Sequence, residues 1–245
     1  MTTPSAETLA SVVIPARNEA RNLEFLLDEV AAALAGRPFE ILVVDDGSTD
    51  DTAAVLAAKK AAGLPVRHIR HARSLGQSAA VRSGVIRAHG AVIVTMDGDG
   101  QNDPANIPRL LAALEAAGPA TGAVSGQRRK RTDSGGKQWA SRLANGLRRR
   151  ILKDETEDSG CGLRAVRREV FLLLPFFDGW HRYIPALILR EGYAVSALDI
   201  VDRPRQFGRS NYGILDRGLR GLLDLFGVWW LKRRFRGRAD VTELP

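Results

Sequence analysis

The segment Met96-Asp97-Gly98-Asp99-Gly100-Gln101-Asn102-Asp103-Pro104 sets two carboxylates on either side of a glycine, directly after an apolar run. Asp97 is expected at a strand end and Asp99 on the tight turn that follows, with both side chains able to face one point. Paired carboxylate oxygens suit hard divalent cations such as Mg2+ or Mn2+, and a diphosphate can complete the coordination shell. A cation held there would neutralise the charge that develops on a departing nucleoside diphosphate. Alone, two acidic residues around a glycine are better read as a polar turn. A second acidic strand end, Asp45-Asp46-Gly47-Ser48, shifts that balance. A carboxylate at such a position, Asp45 or Asp46, can hydrogen-bond a nucleoside base or ribose.

The elements around these residues must bring the two acidic ends together. Short β-branched runs alternate with longer helical patterns through the first 130 residues. Strands are expected at 11–15, 39–44, 66–70, 91–96 and 122–125, with helices at 19–34, from Thr49 or Asp50 as N-cap to 62, at 76–89 and at 104–117. The run Ala91 to Met96 is nearly all apolar, which predicts a central strand. This rhythm describes βαβ units on a parallel sheet, whose ligands bind at the carboxyl ends of the strands. Pro15 to Glu19, Asp45-Asp46 and Asp97 to Asp99 all follow strands directly, so the topology gathers them into one cleft. Beyond residue 130 a basic helix is expected at 137–152, a loop or short strand at 160–168, a helix at 183–191, a strand at 193–201 and a last helix at 214–235.

The segments Pro15-Ala16-Arg17-Asn18-Glu19, Val44-Asp45-Asp46-Gly47-Ser48-Thr49-Asp50, Leu75-Gly76-Gln77-Ser78-Ala79-Ala80 and Asp97-Gly98-Asp99-Gly100-Gln101 resemble, in order and spacing, those of family 2 glycosyltransferases with the GT-A fold. Ser125-Gly126-Gln127-Arg128, Asp158 to Arg164 and Arg203 to Gly213 resemble its dolichyl-phosphate mannosyltransferase and polyprenyl-phosphate glycosyltransferase branch. The resemblance covers roughly residues 10–215. It implies a GT-A, Rossmann-like α/β domain with a mostly parallel central sheet flanked by helices. It also implies inverting transfer of a sugar from a nucleotide-sugar donor, of GDP-mannose or UDP-glucose type, to a polyprenyl phosphate. By the same resemblance Pro15, Asn18, Glu19 and Asp46 contact the nucleoside, while Asp97, Asp99 and Gln101 hold the metal and the donor diphosphate. Two departures stand out: Asn211 replaces the usual Lys of the Ser-Lys-Tyr-Gly run, and Cys161 replaces the usual Phe. The phosphate contact of that Lys is lost or supplied by Arg209.

A phosphate acceptor is already ionised at neutral pH, so it needs positioning and charge compensation more than a general base. Arginine suits that task through bidentate contacts. Arg128 and Arg142 are the candidates, with Arg128 favoured by the resemblance and Arg142 equally well a solvated helix residue. Asp158 is expected to orient an arginine or the acceptor, or else to cap a turn. Of the four histidines, only His181 falls in a segment that the resemblance places near the active site.

The formal net charge of +8 is uneven: residues 1–120 hold 11 Lys/Arg against 14 Asp/Glu, and residues 121–245 hold 25 against 14. A basic second half points to a polyanionic partner. Leu215, Leu219, Leu222, Phe226 and Trp229 recur at helical spacing ahead of Lys232-Arg233-Arg234-Phe235-Arg236, which suits an amphipathic helix on an anionic membrane surface. The other reading is a core-packing helix with a basic tail. No stretch approaches the roughly 20 apolar residues of a spanning helix. The single Cys161 allows no internal disulfide, and the opening MTTPSAETLA lacks a signal peptide's basic and apolar regions, so a reducing, cytoplasmic setting is expected. The expected organisation is a flexible lead-in at 1–10, the transferase domain at 11–213, and a membrane-interface extension at 214–245. The protein is thus expected on the inner face of the cell membrane as a peripheral protein. A family 2 transferase with a soluble or polysaccharide acceptor is the alternative. A nucleic-acid-binding module is not expected, because the basic residues carry no recognised binding motif or aromatic stacking platform.

Overall fold

The structure is a computed structural model that describes residues 9–128, 146, 148–154, 158, 160–204, 207, 214–237 and 242, with residues 214–220 described through their backbone. Strands β1 (Ala10–Ala16), β2 (Phe39–Asp45), β3 (Val66–Arg70), β4 (Val92–Thr95), β5 (Thr121–Arg128), β6 (Arg164–Arg167) and β7 (Ala194–Ile200) form one sheet in the order β3-β2-β1-β4-β6-β5-β7. Pairings β1 with β2, β1 with β4, β2 with β3 and β5 with β7 are parallel. Only β6 runs against its neighbours, antiparallel to both β4 and β5. The apolar run around Val92 is therefore central, as its composition predicts.

Period-two alternation sorts the apolar residues into two layers. Val12, Ile14, Ile41 and Val43 face helices α1 (Ala20–Ala33), α2 (Thr52–Ala61) and α4 (Ile107–Ala116), packing with Leu23, Leu27, Leu56 and Leu110. Val13, Leu42 and Val44 face the opposite layer, which includes Val81 and Val85 of α3 (Gln77–Arg87). The same layer receives α5 (Arg168–Leu173), α6 (Ile184–Arg190) and α7 (Ile214–Arg234) through Phe171, Leu187 and Val228. A 3-10 turn at Pro104–Asn106 leads into α4, and another at Trp180–Arg182 leads into α6.

Differences from the sequence expectations are local. The N-cap of α2 is Asp51, not Thr49 or Asp50. Asp50 nevertheless serves two helix starts, because its carboxylate accepts from the Thr52 N–H at 3.1 Å and from the Ala20 N–H at 3.1 Å. Residues 164–167 form a true strand, followed at once by α5, a helix the sequence reading missed. Arg142, Arg209 and Asn211, and most of the basic helix expected at 137–152, lie outside the described residues.

The last helix is amphipathic; of the expected stripe, the side chains of Leu215 and Leu219 lie outside the described residues, Leu222 and Phe226 are exposed, and Trp229 departs from it. Leu225 and Val228 dock on the core, and Trp229 packs there half-buried. Among the described side chains of this helix, Leu222, Leu223, Phe226 and Trp230 are the exposed large apolar ones. Spacing alone grouped Trp229 with Leu222 and Phe226, but the docked face covers Trp229. No helix among the described residues is long and apolar enough to cross a membrane.

Candidate functional site

The parallel strands end on one rim of the sheet. That rim carries Pro15 from β1, Asp45 from β2, Asp97 just beyond β4 and Arg128 from β5. Because β6 is reversed, its first residue, Arg164, arrives at the same rim, paired across from Thr95. A cleft opens here with about 770 Å³ of empty space, mouth included, lined among others by Pro15, Gln77, Asp97, Gly162, Arg164 and His181.

Asp97 is the centre of this cleft. Gln77, the first residue of α3, donates from Nε2 to Asp97 Oδ1 at 2.8 Å, and Asn102 Oδ1 accepts the Asp97 N–H at 3.1 Å. Gly162 lies so close that a Cβ there would stand 2.5 Å from Asp97 Oδ2. Only a residue without a side chain leaves the carboxylate its place, which explains a glycine at that point of the chain. Burial pushes the Asp97 carboxyl up to about 6, the charge of Asp99 adds to the rise, and Arg164 and Arg128 oppose it. Asp99 follows on the turn, where its Oδ1 accepts the Gln101 N–H at 3.1 Å. The Gln101 carbonyl accepts from the Arg203 N–H at 2.8 Å, and Arg203 is itself held by Glu29 at 2.7 Å.

The carboxylates at the end of β2 are engaged from within. Asp45 is fully buried; its Oδ1 accepts the Ser48 N–H at 2.7 Å, and His68 Nε2 lies 3.3 Å from its Oδ2. Asp46 meets four donors: the N–H groups of Leu75 and Gly76 at 2.8 and 2.9 Å, Ser74 Oγ at 2.6 Å, and His71 Nδ1 at 2.7 Å. Burial pushes the Asp46 carboxyl up, but these bonds outweigh it and hold it below the usual carboxylate range. Asp46 thereby folds the 71–76 loop that delivers Gln77 to Asp97. Asn18 has a left-handed backbone, φ +57°, and its Oδ1 accepts the Thr49 N–H at 2.8 Å while Ser48 Oγ accepts the Asn18 N–H at 2.9 Å. It ties the β1 and β2 loops together. Glu19 begins α1, with Oε2 accepting from Asn22 Nδ2 at 2.5 Å.

Arg128 projects from the end of β5 into a carboxylate frame. Its Nε and Nη2 donate to Asp158 at 2.5 and 2.9 Å, and its Nη1 donates to Asp202 Oδ2 at 3.1 Å. The hydrogen bonds to Asp158 raise the guanidinium pKa against the opposing effect of burial. Asp202 Oδ1 accepts from Asn102 Nδ2 at 3.1 Å. A continuous chain of bonds therefore runs from Asp158 through Arg128, Asp202 and Asn102 to the backbone of Asp97.

Residues 11–173 match the model of glycosyl transferase family 2. The chain belongs to that family. This family 2 glycosyltransferase is 35% identical over 231 residues to the dodecaprenyl-phosphate galacturonate synthase of Rhizobium johnstonii, covering 91% of this chain and 67% of that protein. It is 38% identical over 210 residues to the undecaprenyl-phosphate 4-deoxy-4-formamido-L-arabinose transferase of Klebsiella pneumoniae, covering 84% of this chain and 63% of that one. The chain thus spans about two thirds of the length of the curated relatives it matches. Among solved structures, glucosyl-3-phosphoglycerate synthase from Mycobacterium tuberculosis superposes with a TM-score of 0.68 at 23% identity, over 92% of this chain and 80% of that one. Mannosyl-3-phosphoglycerate synthase from Rubrobacter xylanophilus gives 0.69 at 20% identity, over 93% and 74%. The fold is GT-A.

Gln77 and Arg164 line the cleft of this glycosyltransferase, Asn102 and Asp202 join the bonded chain behind Asp97, and none of the four was singled out from sequence. Asp202 carried a readable signal, since it follows the end of parallel strand β7 as Asp97 follows β4. Arg164 carried none, because only the reversal of β6 turns a strand's first residue toward the rim. The donor set at Asp97 and Asp99 fits a hard divalent cation: both are carboxylates, and the charge of Asp99 raises the cost of charge on Asp97, which a cation would relieve.

Proposed function

We propose that this glycosyltransferase moves a sugar from a nucleotide diphosphate donor, of GDP-mannose or UDP-glucose type, onto a polyprenyl or dolichyl phosphate. The reaction is metal-dependent and inverting, and it takes place at the cytoplasmic membrane face. The observation that carries this reading is the Asp97–Asp99 pair just beyond the central strand, with Asp97 lining the cleft and the framed guanidinium of Arg128 on the same rim of the sheet. The names of the two relatives above, both acting on long prenyl phosphates, support the acceptor. The M. tuberculosis synthase, whose complex contains Mn2+ and UDP, supports the donor and the cation.

In this reading Asp97, Asp99 and Gln101 would hold Mg2+ or Mn2+, and the ion would supply screening of the charge on the departing diphosphate. Pro15, Asn18, Glu19, Asp45 and Asp46 form the nucleoside side. Asp45 and Asp46 act largely by ordering the loops, because their oxygens are already engaged. Arg128, oriented by Asp158, positions the acceptor phosphate, together with Arg142 and Arg209. A phosphate oxygen attacks the anomeric carbon from the face opposite the leaving group. The bond from that carbon to the diphosphate oxygen breaks, and the nucleoside diphosphate departs with the electron pair. No proton has to move, since the phosphate is ionised from the start.

The exposed face Leu222, Leu223, Phe226 and Trp230, with exposed Arg233 and Arg234 in the last helical turn, supports a membrane-surface setting for the acceptor.

Calorimetry with a panel of GDP- and UDP-sugars, with and without Mn2+, followed by transfer to polyprenyl phosphate and to water-soluble acceptors, tests the proposal. Metal-dependent binding of one donor and a lipid-linked product are expected. Product on soluble acceptors alone would replace the lipid with the alternative acceptor class. Asp99→Ala is expected to abolish metal-dependent transfer with the fold retained, and wild-type turnover in that variant would remove the metal from the mechanism.

A further inference from the structure

The cleft around Asp97 has a second wall that the carboxylates and Arg128 leave unexplained. It is built by Arg164 at the start of β6 and by His181 and Arg182 in the turn before α6. Arg164 is 3% exposed, and its Nη1 donates to the His181 carbonyl at 3.3 Å, so strand and turn are locked together. Ser78 fixes the turn from the other side. Its Oγ lies 2.7 Å from His181 Nδ1 and accepts the Gly179 N–H at 3.0 Å, while its carbonyl accepts from Trp180 Nε1 at 3.1 Å.

These bonds seat the turn against the N-terminus of α3. That helix is 11 residues long and begins without a side-chain cap. Gln77 and Val81, one turn apart, line the same cleft, so the helix start borders it. A helix start contributes partial positive charge and N–H donors to the space before it, and of these donors Asp46 already takes the Gly76 N–H at 2.9 Å. Two guanidiniums and a helix N-terminus therefore converge on one side of the cleft. Three independent elements supply them, tied together by hydrogen bonds of which Trp180 Nε1 to the Ser78 carbonyl is buried and the others partly so.

We propose that this wall is an oxyanion subsite, in which Arg164, Arg182 and the start of α3 receive paired anionic oxygens carried by a substrate. Planar guanidinium forks match carboxylate and phosphate oxygens. Two substrates of the reaction can bring such a group: a hexuronate donor through its C6 carboxylate, and the acceptor through its phosphate. The inference rests on the donor and acceptor reading above and assigns side chains that reading leaves unused. His181 is a positioning residue here, holding Arg182 in the turn.

The test compares wild type with Arg182→Gln and Arg182→Lys in two arms. The donor arm measures binding of UDP-glucose against UDP-glucuronate, or of the guanosine pair if the calorimetric panel selects guanosine; the acceptor arm measures kcat and KM for farnesyl phosphate with the preferred donor. If the anion is the donor carboxylate, wild type favours the uronate by about tenfold, Arg182→Gln erases the preference, and the lysine variant restores part of it. If it is the acceptor phosphate, Arg182→Gln raises KM for farnesyl phosphate about tenfold with kcat little changed, again with partial rescue by lysine. The lysine variant keeps the charge on the half-buried turn, and its intermediate values decide the matter should the glutamine variant fail to fold. Variants with wild-type thermal transitions, donor preference and KM would overturn the subsite. Wild-type protein that binds no nucleotide sugar would sink the underlying reading instead, before any variant is compared.

Discussion

Asp46 and Gly162 shape the cleft without chemistry of their own, one through hydrogen bonds and one through the lack of a side chain. Asp46→Asn replaces an oxygen that accepts by an amide that donates, in a pocket where four donors already converge. The variant is expected to lose about 3 kcal/mol of stability, measurable by urea denaturation. The same carboxyl also gives a pH signature. Its value in the folded chain lies below the ordinary 3.8, so the unfolded chain takes up the proton first as pH falls. Its contribution is therefore fully present above the ordinary carboxylate range and is lost as pH drops through the lowered folded value. Denaturation curves of wild type and Asp46→Asn should converge in that acid window; a constant gap down to the acid limit would show that Asp46 is not held ionised. Gly162→Ala, by contrast, thrusts a methyl group at Asp97 Oδ2, 2.5 Å away. It is expected to lower kcat about 100-fold by displacing the carboxylate, with little change in thermal midpoint. Unchanged kcat would mean that the position of Asp97 is not critical.

Helix α7 presents two faces with separable consequences. Val228 is fully buried, and Val228→Ala is expected to cost about 2 kcal/mol of stability. Leu222, Phe226 and Trp230 are exposed, so changing all three to serine should leave the thermal midpoint in place while weakening co-sedimentation with anionic vesicles. Co-sedimentation equal to wild type would count against a membrane-facing helix. This helix also marks how far sequence reading reaches. Periodicity located α7 and its apolar character, but which residues face the core depends on where α5, α6 and the Trp180 turn lie, and no local pattern encodes that. The first five strands were legible to within two or three residues at each end, since β-branched runs and turn residues punctuate them. The rim residues Asp45 and Asp97 were legible for the same reason. Arg164 was not, because its placement follows from a long-range antiparallel pairing, and neither was Gln77, whose bond to Asp97 depends on how Asp46 folds the intervening loop.

At the scale of the whole chain, charge is divided between a net acidic first half that supplies Asp97 and Asp99 and a basic second half that includes α7. If the basic half meets anionic headgroups, vesicle binding should fall steeply between about 0.05 M and 0.5 M salt, as the screening length shortens below the size of the patch. Binding insensitive to salt would assign the association to the apolar face alone. The reversal of β6 bears on something else, the order in which the molecule can be assembled. In the sheet β6 stands between β4 and β5, so β5 and β7 join the first four strands only through it. During synthesis, β5 leaves the ribosome well before the strand that must seat it, and Val92–Thr95 waits with an open edge until Arg164–Arg167 emerges. An unpaired apolar edge is a template for association with other chains. A polypeptide arrested between these points should aggregate, whereas one released a few residues after β6 has its central strand paired on both sides.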